Sequence, residues 1–337
     1  MLNWSVESLS EIAKNLVVNG KGILAADESS GTIKKRFEKV GIEDTEENHR
    51  KYRQLLFTTP EIENYISGVI MYDETIRQKD DSGKPFPELL KERGIVPGIK
   101  TDLGKVEMPF FPGEHVTEGL DGLRDRVKEY YDLGARFTKW RAVAEIGEGK
   151  PSKAVLRANA HGLARQAAYS QEAGLVPIVE PEVLMDGNHD IEQCEIVTSM
   201  WLDMVFEGLY ENKVDFKGML LKPNMVVSGK DCPDQASDEE IVELTLRAFK
   251  KSVPKDVHGI VFLSGGMSPS QATERLRLMN KTAGKESPWA LSFSFGRALQ
   301  EPVLNAWAGK DENITKSQEE FIKVARADSE ATMAEFE

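Results

Sequence analysis

Charged side chains stand at the ends of short apolar runs at several points in this chain of 337 residues. Taken singly, each has a plain structural explanation: Asp27 could cap a helix, Lys222 could mark a turn before Pro223, and Arg141 could extend into solvent. Burying an unpaired charge is costly, however, so packing alone does not explain so many charged ends together. The residues concerned are Asp27, Lys100, Lys139, Arg141, Glu180, Glu182 and Lys222.

Lys222 is the candidate nucleophile of this set. A lysine amine attacks only when it is neutral, so its pKa of about 10.4 must be lowered. An apolar wall and a neighbouring cation do this; two leucines precede Lys222, and Lys139 is a candidate for the cation. A neutral lysine forms a Schiff base with a ketone, and the iminium withdraws electrons from the adjacent carbon–carbon bond. Breaking that bond needs a base and a proton shuttle, for which Asp27 and Glu180 are available.

The apolar runs that carry these charges recur at spacings of roughly 30 to 45 residues, which suits a strand, a loop and a crossover helix. Continuous apolar runs are typical of strands buried on both faces. Eight such units predict an α/β fold, a single (β/α)8 TIM barrel with extra N- and C-terminal helices, as one domain over 1–337. A doubly wound open sheet is the competing architecture, although no GxGxxG follows the first run. The runs are 22–27 (GILAAD), 67–72 (SGVIMY), 97–100 (PGIK), 136–141 (RFTKWR), 176–180 (VPIVE), 218–222 (GMLLK), 259–263 (GIVFL) and 290–293 (ALSF).

Helix start signals fall between these runs. Ser237 and Ser317 each precede a glutamate by three residues, which predicts capping boxes that open two helices, the second being the last helix of the chain. Ser268 is followed by a proline at the first helical position, where its missing N–H costs nothing. A long apolar pattern begins at Ser152 and stops at Gly174, which predicts one long helix.

In a barrel of this kind the chemistry lies at the carboxyl ends of the strands. Residues two apart on a strand project to the same side, so Lys139 should accompany Arg141, and Glu180 should accompany Glu182. Glycine-containing turns follow the last two runs, where such barrels bind phosphate, and an arginine there adds a forked donor. Basic groups gathered on one rim predict a small anionic substrate. The two turns are SGG at 264–266 and GR at 296–297.

The composition of the chain disfavours several classes of protein. Hydrophobic residues make up 40%, enough to bury a core, so a wholly disordered chain is excluded. A net charge of −13 argues against nucleic acid and anionic membranes as partners, and no stretch is apolar enough to span a membrane. Two cysteines and the absence of a signal segment after Met1 favour a reducing, cytoplasmic location. The five histidines stand singly, so no metal site is predicted.

Seven segments together resemble class I fructose-1,6-bisphosphate aldolase, the Schiff-base family, and they follow family order over nearly the whole chain. AADES, IVEPE and LLKPNM in combination are very specific to that family. The segments are 20–36 (GKGILAADESSGTIKKR), 45–57 (TEENHRKYRQLLF), 137–143 (FTKWRAV), 176–184 (VPIVEPEVL), 220–226 (LLKPNMV), 262–266 (FLSGG) and 291–300 (LSFSFGRALQ).

The resemblance implies reversible cleavage of fructose 1,6-bisphosphate to dihydroxyacetone phosphate and glyceraldehyde 3-phosphate, in glycolysis and gluconeogenesis. It implies no metal and no cofactor, and a homo-oligomer, since relatives are commonly homotetramers. The implied catalytic residues are Lys222 for the Schiff base, Asp27 for the C4 hydroxyl and Glu180 for the carbinolamine, with Lys139 and Glu182 as their hydrogen-bonding neighbours. The implied phosphate ligands are Ser264, Gly265, Gly296 and Arg297 at the C1 end, and Lys35, Arg36, Lys100 and Arg141 at the opposite end.

One departure from the family lies at the end of the sequence. Many relatives end in a tyrosine that assists proton exchange at C3 of the enamine, whereas this sequence ends in Ala334-Glu335-Phe336-Glu337. We therefore expect enamine protonation to contribute strongly to the rate limit; near-unity solvent and C3-deuterium isotope effects on cleavage would count against this. Phe295, where relatives often have tyrosine, is expected to be a packing change.

Two other functions remain open. A Schiff-base barrel could prefer another phosphorylated ketose, such as fructose 1-phosphate or sedoheptulose bisphosphate, although the basic residues at the second phosphate end favour a bisphosphate. A non-catalytic binding or scaffold barrel is the other alternative. The sequence argues against a non-catalytic barrel, because all four residues that would carry the chemistry are present: Asp27, Lys139, Glu180 and Lys222.

Overall fold

Eight parallel strands close into a barrel in the computed structural model, which describes residues 8–334. The first strand pairs with both the second and the last, so the predicted (β/α)8 barrel is confirmed and the open sheet is excluded. The expectations about the N-terminal segment and the chain end involve residues 1–7 and 335–337, which lie outside the described residues. The strands are β1 Gly22–Ala26, β2 Ile66–Met71, β3 Val96–Lys100, β4 Lys105–Glu107, β5 His115–Thr117, β6 Phe137–Ala144, β7 Val176–Val183, β8 Leu220–Leu221, β9 Gly259–Phe262 and β10 Ala290–Phe295, of which β4 and β5 form a separate hairpin.

Helices alternate with the barrel strands, and most of the helix starts lie where the sequence predicts them. Ser152, Ser237 and Ser268 are N-caps whose hydroxyls each accept a backbone N–H. Ser317 is the exception: it lies one turn inside the last helix and its Oγ donates to the carbonyl of Asn313 at 2.7 Å, because a 3₁₀ turn leads directly into that helix. The helices are α1 Leu9–Leu16, α2 Ser30–Lys39, α3 Glu46–Phe57, α4 Asp73–Arg77, α5 Phe86–Glu92, α6 Leu123–Asp132, α7 Lys153–Glu172, α8 Ile191–Glu211, α9 Asp238–Ser252, α10 Pro269–Ala283, α11 Arg297–Trp307 and α12 Ile314–Thr332.

None of the helices within residues 8–334 is both long and apolar enough to cross a membrane.

Alternate residues of the strands fill the barrel interior, and they change character along its axis. At the amino-terminal end, α1 packs its apolar face into the barrel opening. Above it the ring of Phe137 occupies the space left by Gly98, where an added Cβ would lie 2.2 Å from the ring. The next inward position after Phe137 is Lys139, and the next after Ile178 is Glu180. A packed apolar layer therefore supports a charged layer at the carboxyl ends.

Strands β6 and β7 run further than the sequence predicts, and β8 is shorter. The predicted ends at Arg141 and Glu180 are wrong, since the pairing continues to Ala144 and Val183. These charged residues can lie within the strands because each has a partner of opposite charge: Arg141 pairs with Glu182, and Glu180 pairs with Lys139. In the sixth run a 3₁₀ turn at Phe216–Gly218 replaces the predicted strand start, and the N–H of Lys222 extends the ladder by bonding to the Val179 carbonyl at 2.8 Å.

Candidate active site

The carboxyl ends of the barrel strands enclose a cavity of about 370 Å³, within the size range of small-molecule sites. All of the site residues predicted from the sequence line this cavity except Lys35. Lys35 is exposed on α2, one position before Arg36, which does line the cavity. Of these two neighbours, only Arg36 contributes its side chain to the cavity wall.

Four buried side chains on the cavity floor form a row of alternating charges. Lys139 Nζ lies 2.6 Å from Asp27 Oδ2 and 3.3 Å from Glu180 Oε2. Lys222 Nζ lies 3.3 Å from Glu180 Oε1. These side chains are between 4% and 11% exposed, so water screens their interactions weakly. Glu180 thus bridges two ammonium groups, one through each carboxylate oxygen.

The electrostatics of the row favour ionisation of its carboxylates and of Lys139. Burial raises the pKa of Asp27, but Lys139 and Lys222 outweigh burial and hold that pKa well below its ordinary value. The same two lysines hold the pKa of Glu180 low against burial. Burial in turn lowers the pKa of Lys139, whereas Asp27 and Glu180 outweigh it and raise that pKa above its ordinary value. Asp27 and Glu180 therefore favour the charged form of Lys139, which is joined through Glu180 to Lys222.

A second pair of ionic contacts holds the cavity wall on β3 and β6. Arg141 Nε lies 2.5 Å from Glu182 Oε2, so the two predicted residues are partners. Asp102, which the sequence analysis missed, lies 3.2 Å from Lys100 Nζ and accepts the Arg141 backbone N–H at 3.3 Å. The sequence offered one indication of Asp102: it lies two residues after Lys100, which ends a predicted strand.

The turns after β9 and β10 meet at one end of the cavity. Gly265 adopts a positive φ of 50°, and its carbonyl accepts a bond from Arg297 Nη2 at 3.1 Å. Gly296 directly precedes α11, whose first N–H groups have no intrahelical partners and favour an anion. The buried Ser294 Oγ also lines the cavity and has no hydrogen-bond partner among the described residues. Several unused donors therefore converge at this end.

Arg36, also on the cavity wall, is backed by three residues that were not predicted from the sequence. One carboxylate oxygen of Glu28 accepts a hydrogen bond from Arg36. The other accepts one from Arg53 Nη2 at 2.7 Å. Gln300 Nε2 donates to Glu28 at 2.7 Å. The signal available was that all three lie in segments that carried the family resemblance.

Comparison with known proteins identifies the family of this chain. The family model described as fructose-bisphosphate aldolase class-I matches residues 8–337. This chain belongs to the class I fructose-bisphosphate aldolase family. The family expected from AADES, IVEPE and LLKPNM is thereby confirmed.

Individual relatives of this family member resemble it over almost its full length. A protein of Xanthomonas campestris pv. campestris described as a probable fructose-bisphosphate aldolase class 1 is 52% identical over 334 residues, 98% of this chain and 99% of its own. Fructose-bisphosphate aldolase 4, cytosolic, of Arabidopsis thaliana is 52% identical over 314 residues, 93% of this chain and 80% of its own. Fructose-bisphosphate aldolase of Plasmodium falciparum, solved with TRAP and a small-molecule inhibitor, superposes with a TM-score of 0.95 at 48% identity, covering 98% of this chain and 95% of that one.

Proposed function

We propose that this chain cleaves fructose 1,6-bisphosphate reversibly to dihydroxyacetone phosphate and glyceraldehyde 3-phosphate through a Schiff base on Lys222. The buried row of Asp27, Lys139, Glu180 and Lys222 carries the proposal. The amine is that of Lys222, and Glu180, the proton shuttle, lies 3.3 Å from it. The second carboxylate is that of Asp27, which Lys139 keeps ionised from 2.6 Å. Family membership supports the same chemistry.

The row provides for the proton transfers that form the iminium and break the C3–C4 bond. Lys222 passes a proton to Glu180, and its neutral Nζ then attacks the C2 ketone, with the proton of the attached amine moving to the new oxygen. Glu180 returns its proton to that hydroxyl, which leaves as water. Asp27 then removes the C4 hydroxyl proton, the C3–C4 bond breaks, and its electrons move into the iminium to give an enamine. Glyceraldehyde 3-phosphate leaves, Asp27 releases the C4 hydroxyl proton to solvent, and the enamine takes a proton from solvent at C3. Water then hydrolyses the iminium, which releases dihydroxyacetone phosphate and returns Lys222. Lys139 keeps Asp27 ionised and therefore able to accept the proton.

The two ends of the cavity would bind the two phosphates. Ser264, Gly265, Gly296 and Arg297 suit the C1 phosphate because their donors converge at a helix N-terminus. Arg36, Lys100 and Arg141 suit the opposite phosphate. Lys35 is not included, since it is exposed outside the cavity.

The proposal includes metal-independent chemistry, because the iminium serves as the electron sink. In the part of the chain from 8 to 334, no three His, Cys, Asp or Glu side chains are grouped so as to hold a metal ion. We also propose a cytoplasmic homo-oligomer acting in glycolysis and gluconeogenesis. The cytosolic Arabidopsis relative supports that location.

Trapping the intermediate tests the mechanism. The protein is incubated with fructose 1,6-bisphosphate in excess EDTA and reduced with borohydride, and intact mass and peptide maps are recorded. We expect a stable adduct on the peptide that carries Lys222, none in Lys222→Met, and full labelling in the control Lys251→Met, which removes an exposed lysine of α9. A folded protein that forms no adduct and leaves the sugar uncleaved would overturn the proposal and favour a binding protein.

Substrate preference needs its own measurement. We expect kcat/KM for fructose 1,6-bisphosphate to exceed that for fructose 1-phosphate at least about tenfold, because Arg36 and Lys100 would have no phosphate to bind in the monophosphate. Sedoheptulose bisphosphate is the third substrate to compare. Equal values for the monophosphate and the bisphosphate would favour the alternative of another phosphorylated ketose.

A further inference from the structure

A buried carboxylate behind the second phosphate end is shared by two arginines of different exposure. Glu28 follows Asp27 at the end of β1, and its side chain is 5% exposed. One of its oxygens accepts from Arg36 and the other from Arg53 Nη2 at 2.7 Å. The Arg36 side chain is 25% exposed and lines the cavity, whereas that of Arg53 is 2% exposed and lies behind it.

Arg53 is fixed in its place by further contacts. Its Nη1 donates to Gln300 Oε1 at 3.1 Å, and its guanidinium lies 5.5 Å from the centre of the Tyr52 ring. Gln300 is itself tied to the barrel, since its Nε2 donates to the Ala25 carbonyl at 2.7 Å. Arg36 has only one ion-pair contact among the described residues, the one to Glu28. Of the two arginines, Arg36 is the one that can turn toward a ligand.

We infer that Arg53 is a positioning residue whose charge allows Arg36 to leave Glu28 and bind the second phosphate of a bisphosphorylated sugar. The inference rests on the proposed function, which supplies that phosphate. When Arg36 turns into the cavity, Glu28 keeps the charge of Arg53 and the amide of Gln300, so no buried carboxylate is left unpaired. Without Arg53, the departure of Arg36 would strip Glu28 of its last cation, and the phosphate would have to compete with that carboxylate for Arg36.

Kinetics with two substrates test this role. In Arg53→Met, KM for fructose 1,6-bisphosphate should rise at least about tenfold. KM for fructose 1-phosphate and kcat for both substrates should change less than about threefold. The double variant Glu28→Gln/Arg53→Met removes the buried charge together with its counter-ion, so KM for the bisphosphate should return to within about threefold of the parent.

Two further variants separate this role from a merely structural one. Glu28→Gln alone should leave KM for the bisphosphate unchanged or lower it, because Arg36 then has no ion pair to break. If Glu28 instead served to position Arg36 for binding, the same substitution would raise KM. Arg50→Met is the matched control, since Arg50 lies on the same helix and pairs with Glu47 and Asp81 away from the cavity. If Arg53→Met fails to fold, the Glu28→Gln result decides alone.

The outcomes also distinguish this inference from the proposed function. Failure of the parent protein to form the Lys222 adduct would reject both. An adduct in the parent, combined with a KM for the bisphosphate that is unchanged in Arg53→Met or raised in Glu28→Gln, would reject only the role of Arg53. A KM that rises equally for both substrates in Arg53→Met would also reject it, since the effect would not depend on the second phosphate.

Discussion

At the scale of residues, Glu180 gives the two buried lysines different roles. One oxygen contacts Lys139, which Asp27 also contacts, and the other contacts Lys222 alone. Lys139 therefore has two carboxylate partners and stays charged, while Lys222 has one among residues 8–334 and shares it with Lys139. When a proton passes from Lys222 to Glu180, Lys139 still has the carboxylate of Asp27 as its counter-ion. This division suits a nucleophile beside a fixed electrostatic support.

Removing the fixed cation should shift the pH dependence of cleavage. Lys139 is the largest of the cationic contributions that together hold the pKa values of Asp27 and Glu180 low against burial, so Lys139→Met should raise both. Carboxylates with raised pKa values are protonated at higher pH, and the acid limb of kcat/KM against pH should move upward by about one unit or more. The measurement is the pH profile of kcat/KM from about pH 4 to pH 8.

The conservative variant Lys139→Arg provides the control for that experiment. An arginine keeps the cation although its geometry differs, so the acid limb should stay near that of the parent even where the rate falls. An unmoved limb in Lys139→Met would show that other groups set the ionisation of the carboxylates.

At the scale of elements, the apolar runs predicted every barrel strand, but not where each one ends. Arg141 and Glu180 looked like terminators because a charge inside a strand is costly when unpaired. Their partners come from neighbouring strands and from other segments of the chain, and no local pattern reports such pairing. Ser317 was misplaced for a related reason: a serine followed by acidic residues has the same pattern whether it caps a helix or lies in its first turns.

Some residues of the candidate site could be predicted from the local sequence, and others could not. Residues at strand ends were predictable, since the barrel brings all carboxyl ends together. Asp102 lies in a loop and Arg53 on a helix; Asp102 contacts β6 through the Arg141 backbone N–H, and Arg53 contacts Glu28 from a separate element. Lys35 and Arg36 were not distinguished, because helical phase relative to the cavity is a property of the packed structure.

Packing inside the barrel predicts the effect of one small substitution. Gly98→Ala would place a methyl group 2.2 to 2.4 Å from three atoms of the Phe137 ring, so the ring must move. We expect a loss of about 1–3 kcal/mol in the free energy of unfolding, measured by chemical denaturation. Gly162→Ala on α7 is the control: nothing lies within 4 Å of an added Cβ there, and it should not destabilise. Equal stability of parent and Gly98→Ala would mean that the ring relaxes without cost.

The contact between α10 and α12 predicts a pH-dependent stability. Asp328 is buried on α12, Thr273 Oγ1 donates to its Oδ1 at 2.5 Å, and burial raises the pKa of Asp328 to about 7 despite that bond. Because the folded pKa exceeds the unfolded one, this contribution to stability is complete below about pH 4. It should fall by about 1.4 kcal/mol per pH unit as pH rises toward 7.

Asp328→Asn isolates this contribution. The amide keeps an acceptor for Thr273 and cannot ionise, so the stability of the parent relative to the variant should fall by about 2–3 kcal/mol between pH 5 and pH 7. Denaturation curves at four pH values measure it, with the exposed Glu330→Gln on the same helix as control. A parent and variant with parallel pH dependence would show that Asp328 ionises as freely in the folded state as in the unfolded one.

At the scale of the whole molecule, the cavity and the protein carry opposite charge. The net charge of the chain is −13, whereas seven lysine and arginine side chains but only five carboxylates line the cavity. A bisphosphate approaching the protein is therefore repelled at long range and attracted at short range. Salt separates the two effects, since the Debye length falls from about 30 Å at 0.01 M to about 3 Å at 1 M.

This opposition predicts a maximum in the salt dependence of kcat/KM for fructose 1,6-bisphosphate. Rising ionic strength first screens the distant acidic surface, so kcat/KM should increase between about 0.01 M and 0.1 M. Further salt weakens the contacts between phosphates and cavity cations, and kcat/KM should then decrease toward about 1 M. Fructose 1-phosphate, which carries less charge, should show the same maximum more weakly. A steady decrease from the lowest salt would mean that the basic cavity dominates even at long range; a steady increase would mean that the acidic surface governs encounter throughout.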